Sequence, residues 1–287
     1  MGGWLTVDVG TDSLMARAFD EGQESMTATT PDIRPPLLSM RGVTKRFGAV
    51  EALVGVDFEV NAHEVVALVG DNGAGKSTLA KVIAGVLRPD AGLIELDGEP
   101  ATIGSARSAR ELGIATVFQD LALCENLDVT ANIFLGQEVR ASGGWLADER
   151  MEQTARRILQ QITAGIPSVH APLRTLSGGQ RQAVAIARTL VGQPRLVVLD
   201  EPTAALSVAQ TAEVLTHIER LRDLGLGVIL ISHNMTDVRS VSDRIEVLRH
   251  GRNNGSFDTA TTSYESIIAA ITGATSSRPV SHLRSVI

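Results

Sequence analysis

The sequence predicts an α/β fold, a mostly parallel sheet flanked by helices, and three observations carry that prediction. Strand-sized apolar runs alternate with amphipathic helical patterns through the second half of the 287-residue chain, as an open parallel sheet requires. The run Val65-Val66-Ala67-Leu68-Val69 leads directly into Gly70-Asp71-Asn72-Gly73-Ala74-Gly75-Lys76-Ser77-Thr78, which fits the phosphate-loop pattern G-x-x-x-x-G-K-[ST]. A second apolar run, Leu196-Val197-Val198-Leu199, ends in the carboxylate pair Asp200-Glu201.

Composition narrows the class. An apolar content of 44% is ample for a buried core. No stretch approaches the roughly eighteen uninterrupted apolar residues that cross a bilayer, and no Lys or Arg precedes Arg17, so the basic start of a secretory signal is missing. A single cysteine, Cys124, excludes an internal disulfide and suits a reducing cytoplasm. A net charge of -7 with dispersed basic residues argues against a nucleic-acid surface.

Residues 1 to about 36 read as a separate N-terminal extension. It closes on Thr27-Ala28-Thr29-Thr30-Pro31-Asp32-Ile33-Arg34-Pro35-Pro36, a proline-rich stretch that fits neither a sheet nor a helix interior and is expected to be poorly ordered. Strand-like segments follow around Leu37 to Val43 and Val56 to Val60. After the phosphate loop a helix is expected over Ser77 to Val86, with Leu79, Val82, Ile83 and Val86 at helical spacing. Then come a strand near Leu93 to Leu96, a helix from Ala106 to Leu112 and a short strand near Ile114 to Phe118.

Between Leu123 and Leu173 the pattern is helical. Met151, Ala155, Ile158, Leu159 and Ile162 share one face, with Gly143-Gly144 marking a loop before them. A helix from Gly179 to Val191 leads through Pro194 to the strand ending at Asp200. The next helix is expected to bury Val208, Ala212, Leu215, Ile218 and Leu221, and Gly225 and Gly227 lead into the strand Val228 to Ile231. A strand from Arg244 to Leu248, a turn with Gly251 and Gly255 and a helix from Tyr264 to Ile271 complete a domain of residues 37–273, with a tail over 274–287 expected to fray. There is no internal repeat.

A strand that ends in a phosphate loop and continues as a helix aims backbone N–H groups and the positive end of a helix dipole at one point. A polyphosphate is the natural occupant. Lys76 would reach its β and γ phosphates, the Ser77 hydroxyl would ligate Mg²⁺, and the glycines would let the backbone approach. At the edge of a neighbouring strand Asp200 can hold Mg²⁺ through water and Glu201 can deprotonate the attacking water. The same pair can also merely cap a strand.

The decisive residues are Leu176-Ser177-Gly178-Gly179-Gln180, continued by Arg181-Gln182. Ser177 and the Gly178 and Gly179 amides would form another anion-binding helix N-terminus. With this motif the chain resembles, over about residues 37 to 273, the nucleotide-binding subunit of an ABC transporter. The resemblance implies a P-loop NTPase fold with an N-terminal antiparallel β subdomain and an inserted helical subdomain at about 123–190. It implies ATP and Mg²⁺ as cofactors, and a head-to-tail dimer in which Ser177 to Gln180 of one copy close over the phosphate loop, Gly70 to Thr78, of the other.

The resemblance carries further roles residue by residue. Gln119, in Val117-Phe118-Gln119-Asp120, matches the glutamine that contacts Mg²⁺ or the attacking water. His233, in Ile231-Ser232-His233-Asn234, matches the switch histidine that touches the γ-phosphate, and Phe47 matches the aromatic that stacks on adenine, where tyrosine is commoner. After Glu201-Pro202-Thr203 the family usually reads S-A-L-D, whereas here Ala204-Ala205-Leu206-Ser207 lacks the aspartate. That form, with Ser-His-Asn-Met after the strand and Leu248 to Arg252, looks like the monosaccharide-importer branch (ribose, fructose or xylose type) in its single-domain form.

The implied partners are a second copy, membrane permease subunits and, indirectly, a periplasmic sugar-binding protein, with no nucleic acid. The implied location is peripheral, on the cytoplasmic face of the inner membrane. The alternative is a non-transport ABC ATPase acting on ribosomes or DNA, a class that usually carries paired domains or long coiled-coil insertions. Finally, Asp8-Val9-Gly10-Thr11-Asp12-Ser13 resembles the first phosphate motif of sugar kinases. It is too short for that fold and reads as an appended tail, or as residues upstream of a start at Met26.

Overall fold

The computed structural model describes residues 35–141 and 144–274. The expectations for residues 1–34, for Gly143 and for the tail from 275 onward lie outside the described residues. Strands β1 (Leu38–Phe47) and β2 (Val50–Val60) form an antiparallel hairpin that runs on into β3 (Val65–Val69) and helix α1 (Lys76–Ile83). β4 (Ala91–Leu96) and β5 (Glu99–Pro100) are followed by α2 (Ala106–Glu111) and β6 (Ile114–Val117). Helices α3 (Val129–Phe134), α4 (Asp148–Gln161), a 3-10 turn at Leu173–Thr175 and α5 (Gly178–Leu190) fill the middle of the chain. β7 (Leu196–Asp200), α6 (Val208–Asp223), β8 (Gly227–Ile231), α7 (Met235–Val241), β9 (Arg244–Arg249), β10 (Arg252–Asp258) and α8 (Tyr264–Thr272) complete it.

Two sheets result. One is four-stranded and antiparallel in the order β2-β1-β4-β5, and the other is six-stranded in the order β10-β9-β3-β8-β7-β6. In the second only the β9–β10 pair is antiparallel. The C-terminal ends of β3, β8, β7 and β6 therefore lie side by side along one edge, where open α/β sheets place their ligands. β3 and β8 are buried along their whole length, which is why they read as unbroken apolar runs rather than alternating ones.

The period of two divides the core. Val197 and Leu199 pack with Val184, Ile186, Val214 and Ile218 of α5 and α6, while Leu196 and Val198 pack with Leu79, Ile83 and the β1–β2 hairpin on the other face. Met151, Ala155, Ile158, Leu159 and Ile162 are all buried, as their spacing predicted.

Four expectations need correcting. α1 stops at Ile83 because the chain turns at Gly85, and Val86 is exposed. α6 buries Val214, His217, Ile218 and Leu221, whereas Val208 and Ala212 are exposed; at 100° per residue those two lie on the opposite side of the helix. Gly255 belongs to β10, where a register shift after Asn253 absorbs it, rather than to a turn. β1 and β2 extend to Phe47 and back to Val50 through mostly exposed, partly charged residues, so burial did not mark those ends.

Candidate functional site

The loop after β3 is held by backbone fit. Gly70 has φ 148°, and a Cβ there would lie 2.1 Å from the Leu248 carbonyl oxygen, so no other residue is accommodated. Gly75 caps α1 without any side-chain hydrogen bond. The first-turn amides of Lys76, Ser77 and Thr78 are thus left for an anion at the positive end of the helix dipole. Lys76 Nζ donates to the carbonyls of Gly70 at 2.6 Å and Asp71 at 3.1 Å. Burial holds its pKa below the usual lysine value, against the opposing pull of Glu201, Asp71 and Asp200.

Two strands away, β7 delivers Asp200 and Glu201. Burial, and then the neighbouring Glu201 charge, push the Asp200 carboxyl above its usual value, with Lys81 and Lys76 opposing. Glu201 adopts a left-handed conformation, φ 52°, which costs about 1–3 kcal/mol for a non-glycine residue. Its N–H donates to the Ile231 carbonyl at 2.9 Å, and its Oε2 accepts from His233 Nδ1 at 2.8 Å. An ionised carboxylate only accepts, so Nδ1 carries the proton. Glu201 is largely buried while His233 is 74% exposed, and a cleft of about 380 Å³ opens here between Gly70, Asp71, Asn72, Ser232 and His233.

Lys76, Asp200, Glu201 and His233 thus form one connected group. Gln119 follows β6, at the far end of the same edge, with its side chain exposed. Phe47 belongs to the other sheet, at the end of β1. Its ring is 47% exposed and the Lys45 ammonium lies 5.8 Å from its centroid. Ser177 to Gln180 open α5 as a complete capping box: Gln180 N–H donates to Ser177 Oγ at 3.2 Å, and Gln180 Oε1 accepts from the Ser177 N–H at 3.0 Å. A Cβ on Gly179 would meet Glu213 Oε2 at 2.8 Å, so α5 and α6 touch there through a bare backbone.

Sequence reasoning missed two contributors. Lys81, one turn beyond the loop lysine, adds positive charge near Asp200. Asp237 binds the turn after Glu201 from α7, and its position three residues after the helix-capping Asn234 was the available signal.

No group of three or more His, Cys, Asp or Glu side chains able to hold a metal exists among the described residues. The Ser77 hydroxyl, the Gln119 amide oxygen and the Asp200 carboxylate are hard oxygen donors, which suit a Mg²⁺ ion that keeps several waters and the substrate's phosphates.

A phosphate loop and a carboxylate–histidine pair at the edge of a parallel sheet, with a glycine-rich helix start elsewhere on the chain, define a nucleotide-hydrolysing cassette. A family model described as ABC transporter matches residues 53–204, and the chain belongs to that family as one of its ATP-binding, ATP-hydrolysing cassettes. It is 46% identical over 216 residues to the xylose/arabinose import ATP-binding protein XylG of Sulfolobus acidocaldarius, covering 75% of this chain and 86% of that one. It is 42% identical over 248 residues to a putative ribose/galactose/methyl galactoside import ATP-binding protein of Burkholderia cenocepacia. That alignment covers 85% of this chain but 48% of the relative, so the chain spans about half of that protein's length.

Among solved structures, a nucleotide-free ATP-binding cassette from an ABC transporter superposes with a TM-score of 0.71 at 25% identity, covering 83% of this chain and 95% of that one. A dimeric post-hydrolysis cassette bound to ADP and Pi superposes at 0.65 and 25%, covering 77% and 98%.

Proposed function

We propose that the chain energises import of a monosaccharide through a membrane ABC transporter, working as a dimer of two copies docked on permease subunits at the cytoplasmic face of the membrane. The names of the relatives favour this reading over an ATPase acting on ribosomes or DNA. The observation that carries the chemistry is the Glu201–His233 hydrogen bond on the sheet edge shared with the phosphate loop.

ATP would lie with its phosphates on the amides of Gly70 to Thr78, and Lys76 would exchange its two carbonyl partners for β and γ oxygens. Phe47 would stack on adenine with the face of its ring not taken by Lys45. Ser77, Asp200 and Gln119 would hold Mg²⁺, which neutralises charge developing on the phosphates. Glu201 would accept the proton of the attacking water, oriented by His233, whose other nitrogen is left to reach the γ-phosphate. Ser177 to Gln180 of the second copy would complete the site with a helix N-terminus. A groove of about 330 Å³ lined by Phe118, Asp120, Leu121, Leu135 and Arg188 lies beside Gln119; a permease segment seated there would sense the nucleotide through that loop.

The test is co-purification of the chain with a permease and its ATP-dependent uptake of radiolabelled ribose, fructose or xylose into vesicles. Uptake that depends on Glu201 supports the proposal, and ATP hydrolysis with no permease association would overturn it.

A further inference from the structure

The left-handed backbone at Glu201 needs something to hold it, and the bond to His233 alone leaves the following turn free to relax. Thr203 Oγ1, two residues on, donates to Asp237 Oδ2 at 2.7 Å. Asp237 is buried in the first turn of α7, where its N–H also donates to the capping Asn234 Oδ1 at 3.5 Å. Asn234 directly follows His233. The segment after β7 is therefore pinned to the end of β8 and the residues that follow it at three successive points: Glu201 N–H to Ile231, Glu201 Oε2 to His233, and Thr203 to Asp237. Within the turn, the Ala204 N–H donates to the Glu201 carbonyl at 3.2 Å, and Ala205 is again left-handed at φ 60°. A second left-handed residue in so short a turn persists only where surrounding contacts over-determine the backbone.

We propose that Thr203 and Asp237 are positioning residues: their hydrogen bond fixes the turn so that the Glu201 carboxylate is presented toward the phosphate loop. This rests on Glu201 being the base. The pair touches no reacting atom, and it acts by restricting where the carboxylate points, a restriction whose loss by about an ångström can cost up to roughly a hundredfold in rate.

The experiment compares ATPase kinetics of Thr203→Val and Thr203→Ser, each alone and in a Glu201→Gln background. Valine keeps the shape and removes the donor, whereas serine keeps the hydroxyl. Thr203→Val is expected to lower kcat at least about tenfold with KM for ATP held within about twofold, and Thr203→Ser to restore most of it. In the Glu201→Gln background Thr203→Val is expected to change nothing further, because the group it positions is gone. An unchanged kcat in Thr203→Val, or an equal loss in both backgrounds, overturns the proposal. Near-normal turnover of Glu201→Gln by itself instead overturns the assignment of the base. Should Thr203→Val fail to fold, Asp237→Leu, which is close in shape and removes the acceptor, is read by the same criteria.

Discussion

Glu201 and His233 meet at 2.8 Å across the ends of two adjacent parallel strands, though thirty-two residues separate them in the chain. The pairing gives the carboxylate an orientation and engages one of its two oxygens.

Glu201→Gln is expected to bind ATP normally and lose about 10²–10⁴-fold in hydrolysis, the usual worth of a positioned general base. Single-turnover hydrolysis of labelled ATP measures it. Loss of binding together with hydrolysis would instead make Glu201 a binding residue.

Phe47→Ala is expected to weaken ATP binding by about 1–3 kcal/mol, the worth of one base–aromatic stack, while Phe47→Tyr stays close to the parent. Titration calorimetry reads the difference. A Phe47→Ala chain that binds ATP as tightly as the parent would remove the ring from the adenine site.

A site that a second copy completes, as proposed, would make hydrolysis concentration-dependent. Specific activity should rise with protein concentration and then plateau, and dilute protein should bind ATP yet hydrolyse it slowly. Ser177→Ala should lower the plateau, with a loss of about 1 kcal/mol in stability from the missing helix cap. Specific activity flat down to high dilution would argue for a site complete in one chain.

His217 contributes a pH dependence of stability. It is buried, with Nδ1 donating to the Ile162 carbonyl at 2.7 Å, and burial holds its pKa below 6.5, opposed by that bond and by Glu213. Between the lowered folded value and 6.5 the native state binds fewer protons than the unfolded chain, so stability rises with pH in that window. The contribution is complete above pH 6.5 and is lost on acidification through the folded value. The rise in unfolding midpoint from about pH 5 to about pH 7.5 should therefore be smaller, or the fall larger, in His217→Gln than in the parent.

Much of this was legible in the chain. The unbroken apolar runs of β3, β7 and β8 announced a parallel sheet because strands covered on both faces cannot alternate. The site motifs were legible because each is local: a loop and the helix it opens, a strand end with two carboxylates, a helix start with its cap. Where burial is partial the signal failed. Val208 looked like core and lies in the solvent-facing first turn of α6, and the β10 strand was hidden by its glycine and its polar side chains.

The sequence alone determined which residues are candidates to bind phosphate and carry out hydrolysis, since that depends on side-chain chemistry and on short-range backbone geometry. Only the tertiary structure decided which of them meet. The strand order β3-β8-β7-β6 sets Lys76, His233, Glu201 and Gln119 along one edge in an order unrelated to their order in the chain. The His233 hydrogen bond, the left-handed Glu201 and the Thr203–Asp237 link all arise there, because strand pairing brings together residues that no local pattern connects.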